Sequence, residues 1–249
     1  MYRNSKALLR RTYRMLKRLI ALLVVSLSLM FLPSLAMPQN VEESFKKLFP
    51  NIPVESIHPT EIKGIYEIIV QNQIGYFAPE PGYLILGEII DKDGTNITAK
   101  RRNENIVSKV RDLPLDKAVK IGNGNSTIYE FTDPDCPYCR RASSFLSEKT
   151  DVTRYIFFLP LPMHKDAENK VKYIFCSNDT AKAYEEAMHG KLDNKKYEIC
   201  KKPEVDVLLK THKDVSRKMG INSTPFFIVN GKPISGANAP EIDKALQQK

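Results

Sequence analysis

Tryptophan is absent from this 249-residue chain, and cysteine and histidine are scarce, at four each. His58, His164, His189 and His212 are scattered with no ligand spacing, and the cysteines offer a single close pair, so a zinc site would lack half of its four ligands. No run reaches the ~20 consecutive apolar residues that a membrane-spanning helix needs. The nearest, Leu19–Leu32, has 14 residues and is broken by Ser26 and Ser28. Acidic residues are missing from positions 1–18, which hold seven Lys or Arg. Without residues 1–36 those seven are taken from a total of 38, leaving 31 basic residues against 29 acidic, a net charge of +2. The basic balance of the whole chain is therefore no argument for a nucleic-acid partner. Lys100-Arg101-Arg102 is the one sharply basic cluster that remains, and it reads as a solvated helix start.

What is present begins with that basic and then apolar amino terminus. Ser34 and Ala36 are small residues at the two positions a signal peptidase reads, so residues 1–36 have the form of a secretory signal peptide, with a retained membrane anchor as the alternative. No cysteine stands at the cleavage site, which argues against a lipoprotein. Export would place the cysteines where disulfides persist. The remaining 213 residues suit two modest domains rather than one large core. Residues 37–98 read as a small α+β unit, with a helix over Val41–Phe49 and strands at Ile65–Val70, Gly75–Phe77 and Tyr83–Ile90. So small a unit buries little core, and pairing with a second copy is the natural remedy. Residues 99–122 read as an exposed connecting helix with sparse apolar positions, followed by a loose linker. From 123 to 249 the order is strand, helix, strand, inserted helices over about 165–220, a two-strand hairpin turned by Asn230-Gly231, and a last helix. That order predicts a thioredoxin-like α/β layer.

The chemistry lies in Cys136-Pro137-Tyr138-Cys139, between the strand-like run Ser126–Phe131 and a helical segment, Arg140–Glu148. The spacing puts Cys136 at a helix N-terminus, where free N–H groups and the helix dipole favour the thiolate that attacks disulfides. Pro137 suits the first helical position. Cys139, one turn on, is the candidate resolving thiol. Arg140 and Arg141 favour the thiolate and Asp133 and Asp135 oppose it. His164 stands at the end of the strand-like run Thr153–Leu161 and reads as a surface histidine, with approach to the cysteine site from the strand end as the alternative. Thr224-Pro225 precedes the run Phe226–Val229, where a proline cannot donate to a sheet and so belongs at the strand's start. In thioredoxin-like folds such a proline is cis and faces the cysteine pair. Cys176 and Cys200, separated by 24 positions in a helical stretch, read as a static disulfide, with a second exchange centre as the alternative. Closing such a loop contributes about 3.5 kcal/mol in the chain-entropy account.

These motifs together resemble the periplasmic disulfide isomerases of the DsbC and DsbG type. The likeness rests on Phe131-Thr132-Asp133 before the cysteines, Phe175-Cys176-Ser177, Lys182-Ala183-Tyr184, Met188-His189-Gly190-Lys191, Cys200 and Gly220-Ile221-Asn222-Ser223-Thr224-Pro225. Leu84-Ile85-Leu86-Gly87 resembles that family's dimerisation strand, and Asn96-Ile97-Thr98 the start of its linker helix. The resemblance implies a thioredoxin-like catalytic domain on a small α+β dimerisation domain joined by a helical linker, and a homodimer with an apolar cleft for misfolded exported clients. It implies a periplasmic location, a membrane electron donor that keeps the pair reduced, and no cofactor or metal. It assigns Cys136 and Cys139 to catalysis, Thr224, Pro225 and Tyr138 to substrate binding, and Cys176 and Cys200 to the structural bridge. One departure is the dipeptide Pro137-Tyr138, where the family usually has Gly-Tyr. It leaves the redox poise open, and with it a dithiol oxidase or reductase, or a holding chaperone, as alternatives.

Overall fold

A computed structural model describes residues 40–248, so the expected signal peptide lies outside the described residues. Helix α1, Asn40–Leu48, has Glu42 and Glu43 in its first turn and Lys46 and Lys47 in its last, which complements the helix dipole. Phe45 on this helix is buried, with its ring 5.1 Å from Phe77 in an edge-on contact. Four strands follow in an antiparallel sheet of sequential order: β1 Val54–Pro59, β2 Tyr66–Val70, β3 Gln73–Ala78 and β4 Tyr83–Ile85. Gln71 and Asn72, both at positive φ, form the two-residue turn between β2 and β3, a conformation that matches the twist of a hairpin. Two details differ from the sequence reading. Strand β1 is additional, since Val54–Pro59 has only Val54 and Ile57 as large apolar residues, three positions apart, and gives no period-two signal. Strand β4 ends at Ile85 rather than Ile90, because the chain turns there, and Ile90 forms only a bridge to Asn96.

Helix α2 spans Ile97–Ser108 and is capped by the Asn96 side chain, which accepts from the Ala99 N–H at 2.8 Å. It is not simply an exposed connector. Ile106 is buried among Phe131, Val215, Met219 and Phe226 from later in the chain, joined by Leu113 beyond the helix end. The segment read as a loose linker also holds a strand, β5, Val119–Ile121. Three residues before Gly122 are too few to show a period, yet Val119 is buried and β5 pairs antiparallel with the strand Val152–Phe158.

The second sheet has the order β5-β7-β6-β8-β9, with β6 at Ser126–Thr132, β7 at Val152–Phe158, β8 at Phe226–Val229 and β9 at Lys232–Ser235. Strands β6 and β7 are parallel and the other pairs antiparallel. Helix α3, Pro137–Ser147, connects β6 to β7. The insertion after β7 consists of α4 Ala167–Cys176, α5 Thr180–Met188 and α6 Pro203–Met219, and α7, Ala239–Gln247, closes the chain. Alternation along the central strands serves two cores. Phe131 and Phe157 stack at 5.5 Å and face Val215 and Met219 of α6, while Ile156 and Phe158 face Cys139 of α3, Val171 of α4 and Tyr184 of α5. Cys176 and Cys200 are bonded, which ties the end of α4 to the segment before α6. No helix among the described residues is long and apolar enough to cross a membrane.

Candidate active site

Strand β6 stops at Thr132, and Asp133-Pro134-Asp135 turns the chain into α3. The turn is held from inside. Asp133 is fully buried; one carboxylate oxygen accepts from the Asp135 N–H at 2.8 Å, and the other accepts from the Leu161 N–H at 2.7 Å and bonds His164 Nδ1 at 2.8 Å. His164 is therefore not a plain surface residue: its ring reaches the turn that carries the cysteines. Cys136 sits at the N-cap of α3 with Pro137 at the first helical position.

Cys136 and Cys139 are not bonded to each other and differ sharply in character. The Cys136 thiol is lowered to about 5, first by the hydrogen bond from Cys139, then by the backbone N–H groups of Cys139 and Tyr138, against the opposing effect of its own burial. Burial pushes the Cys139 thiol far up, and sharing its proton with Cys136 adds to that. Two buried hydroxyls, Thr132 and Thr224, have no oxygen or nitrogen partner, and both act on Cys139 in the opposite sense to burial. The Thr224–Pro225 bond is cis, and the Cys136 thiol points at the Thr224 carbonyl at 3.7 Å. Four residues named from sequence, Cys136, Cys139, Thr224 and Pro225, thus meet at one place. Tyr138 faces outward, 59% exposed, with the Arg141 guanidinium 4.9 Å from its ring centre. Cys176–Cys200 is a separate, bonded pair at the end of α4.

Two groups of charges adjoin the site, and of their members the sequence pointed only to Asp135 and Arg140. Arg154, on β7, is buried and donates to Glu130 Oε2 at 2.8 Å and to the Tyr184 hydroxyl at 2.8 Å, while Tyr184 donates to Glu130 Oε1 at 2.7 Å. Ser143, one turn beyond Cys139, joins this network at 3.1 Å from Tyr184, so the network lies under the cysteine helix. The second group links Asp135 and Arg140 to Lys170 and Asp193. His212, buried, accepts from the Phe158 N–H through Nδ1 and donates to the Lys117 carbonyl through Nε2, and burial lowers it to about 4, so it is neutral at pH 7. Among the described residues no three His, Cys, Asp or Glu side chains are grouped so as to hold a metal ion.

Comparison with known families fits this geometry. Residues 33–99 match the disulfide bond isomerase protein N-terminal domain, and residues 113–249, more than half of the chain, match the thioredoxin-like domain. The chain belongs to the thioredoxin-like domain family, with a DsbC-type amino-terminal domain. It is 27% identical over 201 residues to a probable thiol:disulfide interchange protein DsbC of Bordetella parapertussis, spanning 79% of this chain and 69% of that one. It is 23% identical over 208 residues to the thiol:disulfide interchange protein DsbC of Escherichia coli strain K12, spanning 81% of this chain and 83% of that one. The thiol-disulfide exchange protein alpha-DsbA2 from Wolbachia pipientis has a TM-score of 0.51 at 13% identity, covering 62% of this chain and 99% of that structure, a likeness of fold.

Proposed function

We propose that this thioredoxin-like chain is a periplasmic, homodimeric thiol-disulfide isomerase in which Cys136 attacks and Cys139 resolves. The observation that carries the reading is the unequal pair: a thiolate-prone Cys136 at a helix N-terminus against the Thr224 carbonyl, backed by a buried, protonated Cys139. The Cys136 thiolate attacks one sulfur of a client disulfide, forming a mixed disulfide and releasing the other client sulfur as a thiolate. A second client thiolate can then attack the client sulfur of the mixed disulfide, which forms a new client disulfide, restores the Cys136 thiolate and changes no oxidation state. Alternatively Cys139 loses its proton and attacks Cys136 Sγ. The client then leaves with two more electrons and the pair becomes a disulfide, which a membrane dithiol donor must reduce. Thr224, Pro225 and the exposed Tyr138 supply the client-facing surface. No resident cofactor is required, because the electrons move between sulfurs.

On this reading residues 1–36 are a leader removed on export, 37–98 form the dimerisation domain, 99–122 link it to the catalytic domain, and clients are misfolded exported proteins. Dimerisation is supported by the edge strand β4 and the turn after it, where Tyr83, Ile85, Leu86 and Ile90 are exposed, Leu86 to 82%. An uncovered apolar edge is a site for pairing. Gly87 has open space where a side chain would project, so Gly87→Glu introduces a charge there without an internal clash. The test compares recovery of scrambled ribonuclease by wild type and the Gly87→Glu variant at equal site concentration. The variant should be a monomer by light scattering and should lose most shuffling while still exchanging with small dithiols, because two sites in one assembly raise the effective concentration of a held client. A confirmed monomer that shuffles as well as the dimer would favour a simple oxidoreductase.

A further inference from the structure

The residue immediately before Cys136 is an acid, and an uncompensated carboxylate there would oppose the thiolate on which the proposed function rests. The structure surrounds it. Asp135 accepts from Arg140 Nη2 at 3.2 Å and from Lys170 Nζ. Asp193, in the turn after α5, accepts from Arg140 Nη1 at 2.6 Å, from Arg140 Nη2 at 2.9 Å and from Lys170 Nζ at 2.5 Å. Arg140 also donates through Nε to the Pro134 carbonyl at 2.6 Å, which fixes the turn itself. Two cations and two anions form one closed cluster. Lys170 is its least expected member, because lysine is almost never fully buried unless paired, and this side chain is 4% exposed. Gly190 makes room for the cluster: at φ +70° it has no side chain, and a Cβ would lie 2.9 Å from Asp193 Oδ2 and 3.3 Å from Arg140 Nη1.

We propose that Lys170, held by Asp193, is a positioning residue for the reaction of Cys136: it neutralises Asp135 and ties the Pro134–Asp135 turn to the inserted helices, so that the attacking sulfur has no net acidic neighbour on that side. The inserted helices thereby gain a part in the chemistry. Lys170 reaches the turn from α4, six residues before Cys176, so the Cys176–Cys200 bond anchors the helix that delivers the ammonium group. Of the other titratable groups around the turn, Asp133 is bonded to His164 and to the Leu161 N–H, Asp166 lies 3.8 Å from Lys170 and accepts from the Tyr197 hydroxyl at 2.8 Å, and Arg141 lies over Tyr138. Removing the Lys170 charge leaves one cation against two anions in the cluster that holds Asp135, the neighbour of Cys136 in the chain.

The experiment is the pH midpoint of Cys136 alkylation in the reduced full chain, read by site-resolved mass spectrometry. Lys170→Met should raise the midpoint by about one pH unit, the scale expected when a single nearby charge is uncovered. Lys170→Arg should stay near wild type, and Lys170→Met with Asp135→Asn should return towards it, which a role confined to packing would not produce. Should Lys170→Met fail to fold, Asp135→Asn alone decides the matter, since it leaves an excess cation and should lower the midpoint. An unmoved midpoint in folded Lys170→Met or Asp135→Asn, or a shift that Asp135→Asn does not reverse, overturns the proposal. The proposed function fails separately, if wild-type Cys136 forms no mixed disulfide with a client.

Discussion

A pH series of alkylation at Cys136 in the reduced protein tests the division of labour between the two sulfurs. The Cys136 thiol stands at about 5 against an ordinary value of 9.0. At pH 7 an ordinary thiol of that kind is roughly 1% thiolate and Cys136 roughly 99%, a gain of about 100-fold in the reactive form. Most of the gain is cancelled, because nucleophilicity falls with basicity: a Brønsted slope of about 0.4–0.5 over about four units removes a factor of roughly 40–100. Near neutrality Cys136 should therefore react within about threefold of free cysteine. At about pH 5.5 the thiolate fractions become roughly 76% and 0.03%, and after the same loss Cys136 leads by roughly 25- to 60-fold. The signature is thus a large advantage confined to acid pH, with a midpoint at about 5. Cys139→Ala removes the largest cause of the lowered value, so its midpoint should move up, and mixed disulfides should accumulate on Cys136 at neutral pH and above. A wild-type midpoint at about 8–9 would refute the arrangement. Adducts that persist in Cys136→Ala would reverse the two roles.

Two further outcomes concern stability. Arg154→Met should cost about 3–5 kcal/mol in urea unfolding, because Glu130 would be left buried without its cation, and adding Glu130→Gln should recover most of it; a single-variant loss under about 1 kcal/mol would show that the pair does not hold the core. The reduced protein should also lose stability relative to Cys136→Ser as the pH is lowered. The folded value of Cys136 lies below its unfolded one, so its contribution is fully present above the ordinary value and is lost as pH falls through about 5. The slope is at most about 1.4 kcal/mol per pH unit, and a difference that stays constant across that window would mean that Cys136 titrates as an ordinary thiol.

The cysteine pair was legible because its signal is local: strand, turn, proline and two thiols fall within about a dozen residues. Thr224-Pro225 was legible through its position before an apolar strand. Strand β5 was not, since three residues carry no period, and β1 was hidden by its polar half. The charged clusters were hidden for a different reason. Lys170 meets Asp135 from 35 positions away, and Asp193 meets Arg140 from 53. No spacing encodes such a meeting. Yet a trace of it is present: Ala167, Lys170, Val171 and Ile174 form the buried face of α4, so a lysine stands where the helical period calls for an apolar residue. Glu130 and Arg154 give the same sign, opposite charges at inward positions of adjacent strands otherwise rich in apolar residues. A charge that breaks an apolar pattern is a reason to look for its partner.

The two thiols also bear on whether the protein shuffles or simply reduces. At pH 7 the lowered value of Cys136 favours the dithiol by about 3 kcal/mol over an ordinary pair, or ~60 mV in reduction potential. An isomerase must meet its client in the thiolate form, and a pair that is easily reduced is readily kept so. The fate of the mixed disulfide depends on Cys139. A low value makes Cys136 a good leaving group when a client thiolate attacks the client sulfur, which speeds rearrangement, whereas in escape Cys139 attacks Cys136 Sγ and the client sulfur is the one that leaves. Burial works against that escape, because Cys139 must lose a proton in a site where its thiolate is strongly disfavoured. Client thiols at the surface have no such obstacle. The mixed disulfide is thereby held open to attack from the client before Cys139 intervenes, and rearrangement takes precedence over net reduction. Pro137-Tyr138 does not decide this balance alone; the burial of Cys139, only partly offset by the Thr132 and Thr224 hydroxyls, does as much.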